Sequence, residues 1–258
     1  MMNIRLLCAL LCGLVLVIAG CETSPTGRSQ MILVSDEQMA QMGAQAFDQL
    51  KQETPTTRNS KVSGYVNCVA NAITPMAPGR YNWEVGVFED DSVNAFALPG
   101  GKIGVYTGLL RAAENQHQLA AVIGHEIAHV TARHSAARVS NQLATQMGVS
   151  VVAAGTGVNP QLIGMGADIL LTLPYSRADE SEADVVGLEY MARAGFDPRE
   201  SVTLWRNMER EAGARPAQFL STHPAPSTRI RDLERRMPQA VALYEEARAA
   251  GRTPNCRP

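Results

Sequence analysis

Apolar and polar positions along the chain alternate between two periods, and the switches between them mark the elements. A helix capped by Ser35 or Asp36 is expected to run to about Lys51, and apolar positions at helical spacing predict a second from Val62 to Thr74, ended by Pro75. From Trp83 to Asp90 the pattern alternates in strand fashion, and Ala95 to Leu98 and Lys102 to Tyr106 flank a Pro-Gly-Gly turn. A helix is then expected from Gln116 to Arg138, with Leu119, Val122, Ile123, Ile127 and Val130 on its inward face. Between Leu143 and Leu173 an apolar stretch broken by Gly155, Gly157, Asn159 and Pro160 reads as two short helices beside the preceding one, mobile enough to gate a site there. A short amphipathic helix, Gln239 to Ala250, closes the pattern, and no 34-residue repeat is visible. The elements sum to an α+β fold, mostly helical, with a small antiparallel sheet beside the long helix.

The amino terminus follows a different pattern. Arg5 precedes an uncharged run from Leu6 to Gly20, short of the roughly 20 residues of a membrane span and suited to a secretory signal core. Ile18-Ala19-Gly20-Cys21 resembles a bacterial lipobox, in which Cys21 is acylated and cleavage falls before it. Glu22 rather than Asp follows, so the inner-membrane retention signal is absent and an outer-membrane anchor facing the periplasm is expected. On this reading residues 1–20 leave, residues 21–35 (rich in Ser, Thr, Pro, Gly and Gln) form a flexible tether, and residues 36–258 form one domain. The domain then keeps Cys68 and Cys256, a pair that in an oxidising compartment suggests one disulfide, the alternative being two separate thiols. A formal charge of −2 without any dense Lys/Arg block argues against nucleic acid as a partner.

The chemistry lies on the long helix. Residues four apart on a helix project about 40° from one another, so His125 and His129 of His125-Glu126-Ile127-Ala128-His129 face the same way and can share one zinc ion. Glu126 lies beside that face as a general base toward a zinc-acidified water. A catalytic zinc needs a third protein ligand and one open position. One known extension of the pattern puts Gly and His seven and ten residues beyond the first histidine, where this chain has Ala132 and Ser135. A second takes Glu from another helix, with an Asp four residues later supporting a ligand histidine, and Glu180 and Asp184 have that spacing. The five-residue motif alone arises by chance in many helices. Uncompensated His and Glu on an apolar face would, however, be costly to bury, and the Glu180–Asp184 pair completes a set. His117 and His134 fall outside the ligand spacing and read as surface or supporting residues.

These residues resemble the HtpX-like and CAAX-prenyl-endopeptidase-like membrane-associated zinc metallopeptidases. The similarity extends to Asn94-Ala95-Phe96-Ala97-Leu98-Pro99-Gly100-Gly101 leading to Gly108-Leu109-Leu110, to Ser176-Arg177 before Glu180, and to Thr222-His223-Pro224 before Arg229-Ile230. The resemblance implies a zincin-like domain with one zinc held by His125, His129 and Glu180, Glu126 as base and Asp184 in support. His223 is left between three roles: stabilising the oxyanion, closing zinc's fourth position, or packing at a turn. Arg229 reads as structural, paired with an acidic group in the core or with a helix end. An exposed strand edge near Asn94, Ala95 and Phe96 is a candidate to receive an extended peptide, although Pro99 to Gly101 is equally readable as only a turn and Asn94 as a local turn residue. The implied function is a lipid-anchored metalloendopeptidase for misfolded or misassembled envelope polypeptides. A chaperone or assembly factor that binds in the same groove is the alternative, and a purely structural zinc would leave Glu126 without a use.

Overall fold

The computed structural model describes residues 21–147, 169–214, 218–224 and 228–258. The signal core and most of the Leu143–Leu173 stretch, with its two expected helices, lie outside the described residues.

The chain opens with a hairpin of β1 (Cys21–Thr23) and β2 (Ser29–Met31). Helices α1 (Asp36–Glu53) and α2 (Ser60–Ile73) follow, then β3 (Glu84–Phe88), β4 (Ala95–Leu98), β5 (Lys102–Tyr106) and the short α3 (Leu109–Ala112). The rest is helical: α4 (Gln116–Thr131), α5 (His134–Met147), α6 (Arg177–Arg193), α7 (Glu200–Ala214), α8 (Gln218–Thr222) and α9 (Arg229–Ala249). Among the described residues no helix is long and apolar enough to cross a membrane.

Local chemistry explains the starts of these helices. Ser35 and Gln38 form a capping box on α1, and Ser176 and Asp179 form another on α6. Asn59 and Asn115 cap α2 and α4 by accepting from the first free backbone N–H groups. β4 and β5 form the expected antiparallel hairpin, turned by Gly100 and Gly101 at φ of 83° and 94°, conformations open to glycine at no steric cost. β3 enters on the far side of β5 and runs parallel to it, so the sheet is mixed, with order β3-β5-β4 and β4 at an edge.

Helix α4 is the axis of the molecule, and every residue from Gln118 to Val130 is buried. Helix α6 crosses it with backbones nearly touching: a Cβ built on Gly187 would lie 2.7 Å from the His125 nitrogen and 2.8 Å from the Gly124 carbonyl carbon. Nothing larger than glycine fits at this crossing, which brings Glu180 and Asp184 of α6 up to the histidines of α4. Gly187→Ala is expected to lower stability by about 1–3 kcal/mol in urea unfolding, the usual cost of overpacking. A variant as stable as wild type would show that the crossing is loose.

Three departures from the sequence expectations have physical causes. First, the helix expected from Gln116 to Arg138 breaks at Arg133, whose φ is 58°. The strained residue is held by ion pairs to Glu22 and, at 2.6 Å, Asp36, so the turn depends on partners far away in sequence. Second, residues 21–35 are folded rather than a loose tether. Ser24, Ile32 and Val34 are buried, Thr26 N–H and Oγ1 donate to Glu182 Oε1 at 2.8 and 2.7 Å, and Arg28 pairs with Asp179 and Glu182 at 2.5 and 2.9 Å. Composition described the segment correctly but carried no trace of these partners on α6. Third, the last helix begins at Arg229 rather than Gln239 and contains Pro238, because its first turns are anchored by buried Arg229 and Leu233.

A disulfide joins Cys68 on α2 to Cys256, with a Cα separation of 5.7 Å and a sequence separation of 188. Closing so long a loop removes about 5 kcal/mol of unfolded-chain entropy in the chain-entropy model. It also ties the carboxyl-terminal segment, whose Cys256 N–H donates to Gln116, to the start of α4.

Candidate metal centre

One face of α4 places His125 and His129 side by side, with their Nε2 atoms 3.1 Å apart. Glu180, in the first turn of α6, presents Oε2 at 3.4 Å from His125 Nε2 and Oε1 at 3.4 Å from His129 Nε2. His223, just after α8, brings Nδ1 to 3.1 Å from Glu180 Oε1. The four residues are buried, and one ligand atom from each lies within 4.8 Å of all the others. Among the described residues this is the cluster of metal-binding side chains that meets those terms.

The spacing fits zinc. Bonds of about 2.0–2.1 Å in tetrahedral geometry put neighbouring donor atoms roughly 3.3–3.4 Å apart, and the separations among His125, His129 and Glu180, 3.1–3.4 Å, fall beside that value. The electrostatics fit as well. Burial opposes charge on His125, yet Asp184 and Glu180 beside it outweigh burial and raise its pKa to about 9. Burial holds His129 well below its usual value. Burial also works to raise the pKa of Glu180, but contacts from His125, His129 and His223 hold it well below the carboxylate range. The negative charge at the converging donors comes from the buried carboxylates of Glu180 and Asp184 beside the two histidines.

The surrounding side chains orient the donors. Asp184 Oδ1 lies 3.0 Å from His125 Nδ1, the carboxylate–histidine arrangement typical of zinc sites. Arg229, 3% exposed, donates from Nε to Asp184 Oδ2 and from Nη2 to Glu180 Oε2, both at 2.7 Å, while its guanidinium stacks 4.0 Å over Trp205. Tyr175 stacks on His129 with ring centroids 3.8 Å apart, and Phe219 stacks on His223 at 4.2 Å.

Glu126 stands next to the donor set but not within it. Its Oε2 accepts from the Ala97 N–H of β4 at 3.1 Å, and among the described residues Oε1 has no hydrogen-bond partner, with His223 Nε2 3.6 Å away. Burial raises its pKa. A cleft lined by Asn94, Phe96, Glu126, Tyr175 and His223 opens beside it. Ala95 and Phe96 lie on β4, the edge strand beside this cleft, and Asn94 precedes them with its carbonyl accepting from Tyr106 N–H, but all three are buried rather than exposed as expected, because β4 packs against α4, whose Glu126 takes the Ala97 N–H.

The structure thus brings together His125, Glu126 and His129 of α4, Glu180 and Asp184 of α6, His223 and Arg229. Cys21 stands apart from them, exposed at the start of β1. His117 is half-buried and accepts from the Asp197 N–H, away from the centre. Sequence reasoning did not find Glu182 or Tyr175, and it gave His134 only a generic place. His134 is fully buried, 2.9 Å from His129 Nδ1. Its sequence signal was its position five residues past His129, which on an unbroken helix points about 140° away and so looked irrelevant.

Comparison with known proteins agrees with this geometry. Residues 57–237 match the model of "Peptidase family M48". The chain is 41% identical over 165 residues to the mitochondrial metalloendopeptidase OMA1 of Schizosaccharomyces pombe, covering 63% of this chain and 49% of that protein. It is 30% identical over 247 residues to the human mitochondrial metalloendopeptidase OMA1, covering 87% and 47%. It is 30% identical over 230 residues to the β-barrel assembly-enhancing protease of Escherichia coli, covering 83% and 46%. The chain spans about half the length of these relatives.

Proposed function

The chain belongs to peptidase family M48, and from that premise we propose that it is a zinc-dependent metalloendopeptidase acting on polypeptides. The observation that carries the reading is Glu126: a buried carboxylate with one oxygen tied to the Ala97 N–H and the other, among the described residues, unpartnered beside four convergent metal donors. A protein that only bound polypeptides, or used zinc only as a staple, would have no use for it.

His125, His129 and Glu180 would hold the zinc, which when bound supplies Lewis acidity toward a carbonyl and toward water. Glu126 takes a proton at Oε1 and returns it to the leaving amine, and burial, by raising its pKa, favours the protonated intermediate state. Asp184 and Arg229 keep His125 and Glu180 in place. β4 is the edge strand beside the cleft, and an extended substrate backbone would add to it by displacing what now buries it, which fits sequence-tolerant cleavage. His223 sits within the donor set, so it is suited to close zinc's fourth position at rest, and its Nε2 also faces Glu126.

The lipobox at Cys21 supports a lipid-anchored, periplasm-facing placement at a bacterial outer membrane. The similarity to a protease named for β-barrel assembly supports misassembled envelope proteins as substrates.

The test is proteolysis of unfolded casein by the full-length chain, with bound zinc measured. One zinc per chain is expected, with cleavage abolished by a chelator and restored by added zinc. Zinc-loaded protein that leaves casein intact, both as wild type and as His223→Ala, would overturn the peptidase reading. Faster cleavage by His223→Ala would identify His223 as a resting ligand.

A further inference from the structure

Behind the metal centre a line of hydrogen-bonding groups leads away from His129 to the amino-terminal hairpin. His129 Nδ1, on the far side of the ring from the donor set, lies 2.9 Å from His134 Nδ1. His134 Nε2 lies 3.2 Å from Glu182 Oε2. The same Glu182 oxygen accepts from Arg28 Nε at 2.9 Å, and Oε1 accepts from the Thr26 N–H and Oγ1 at 2.8 and 2.7 Å. Both His134 and Glu182 are buried, at 0% and 3% exposure.

The proton positions along this line are determined by chemistry. A ring nitrogen facing a cation carries no proton, so a metal-bound His129 carries its proton on Nδ1 and donates it to His134 Nδ1. His134 Nδ1 is then the acceptor, which puts the His134 proton on Nε2, where it donates to Glu182. Glu182 takes the remaining donors from Thr26 and Arg28 as an acceptor throughout. Every link has one donor and one acceptor. Two other groups face His134 Nε2, Arg28 Nη2 at 3.5 Å and Asp179 Oδ1 at 3.8 Å, and both are farther than Glu182.

We propose that the amino-terminal hairpin is part of the metal centre, with Arg28 and Thr26 acting through Glu182 and His134 to hold His129 in the tautomer and orientation that turn Nε2 toward the ion. His125 has its support within α6, from Asp184. Among the described residues His129 Nδ1 faces His134 rather than a carboxylate, and its support comes by way of His134 from a segment more than 100 residues earlier in the chain. The break at Arg133 serves this arrangement, because it turns the start of α5 so that His134 meets His129. Of the two residues that hold Arg133, Glu22 lies in β1 of this hairpin and Asp36 follows it at the start of α1. His134, Glu182 and Arg28 are positioning residues, and none touches the reacting atoms.

The inference rests on the metal reading above, and the test separates the two. Zinc dissociation constants of the full-length chain are measured by competition with a chromophoric chelator, and the visible spectrum of the cobalt(II) form is recorded. Replacing such outer partners loosens metal about 10–100-fold, and His134→Phe is expected to fall in that range with an altered cobalt spectrum. His134→Asn, which restores an acceptor near the Nδ1 position, should recover part of the loss, as a merely space-filling role would not allow. Arg28→Gln, at a partly exposed site remote from the metal, should loosen zinc by a smaller factor without loss of fold by circular dichroism. Zinc affinity and cobalt spectrum unchanged in His134→Phe would overturn the proposal. Should that variant fail to fold, unchanged affinity in both Glu182→Gln and Arg28→Gln would overturn it equally. A wild-type chain that binds no zinc would instead overturn the metal reading itself.

Discussion

Glu126→Gln is expected to retain zinc and to lose peptide hydrolysis by about 10²–10⁴-fold in kcat, the range for removing a general acid–base group. The substitution is nearly isosteric. A Gln carbonyl oxygen can keep the bond from the Ala97 N–H, so β4 should stay in register beside α4. Glu126 lies outside the set of four converging donors, so zinc affinity should change little. What is lost is the capacity of the Oε1 position to accept a proton and give it back. The measurements are zinc content, casein cleavage and thermal stability on the same preparations. Cleavage within tenfold of wild type by a zinc-loaded Gln variant would mean that the base lies elsewhere, and His223, whose Nε2 faces Glu126 Oε1 at 3.6 Å, would be the group to test next.

What the sequence made legible and what it hid divide along one physical line. His125, Glu126 and His129 were readable because helix geometry alone puts two residues four apart on one face, and Glu180 and Asp184 were readable by the same rule. The caps at Ser35 and the Pro-Gly-Gly turn were likewise local. The arrangement of β3 parallel to β5 was not, because alternation reports a strand and not its partner. The hairpin at residues 21–31 was hidden for a stronger reason: its Ser, Thr and Gly content is that of a linker, and its order comes from Glu182 and Asp179, over 150 residues away. His134 was hidden by a single backbone dihedral, since only the positive φ at Arg133 brings residues five apart together. Spacing thus reveals groups that share one helix. Side chains whose position depends on contacts between elements become visible only in the fold.

The second large effect is expected at one such inter-element contact. Arg229→Met should destabilise the metal-free protein by about 3–5 kcal/mol, the usual result of removing one partner from a buried charge group. In a domain of this size that corresponds to a loss of roughly 6–20 °C in Tm. The reasoning starts from burial: Glu180 and Asp184 are 0% and 6% exposed at their side chains, and Arg229 gives each of them a 2.7 Å hydrogen bond. Met has similar length and can keep the contact with Trp205, so the loss is of charge and donors rather than of volume. Without the guanidinium, two carboxylates face one another across one turn of α6 in a medium that screens them poorly. Arg229→Lys restores a charge but not the planar fork that reaches both acids from one side, so it should recover only part of the stability. Calorimetry in the presence of a chelator reads the difference directly. A Met variant as stable as wild type would show that Asp184 and Glu180 are satisfied by the histidines alone, and the clamp would then have to be assigned to positioning Glu180 rather than to holding the fold.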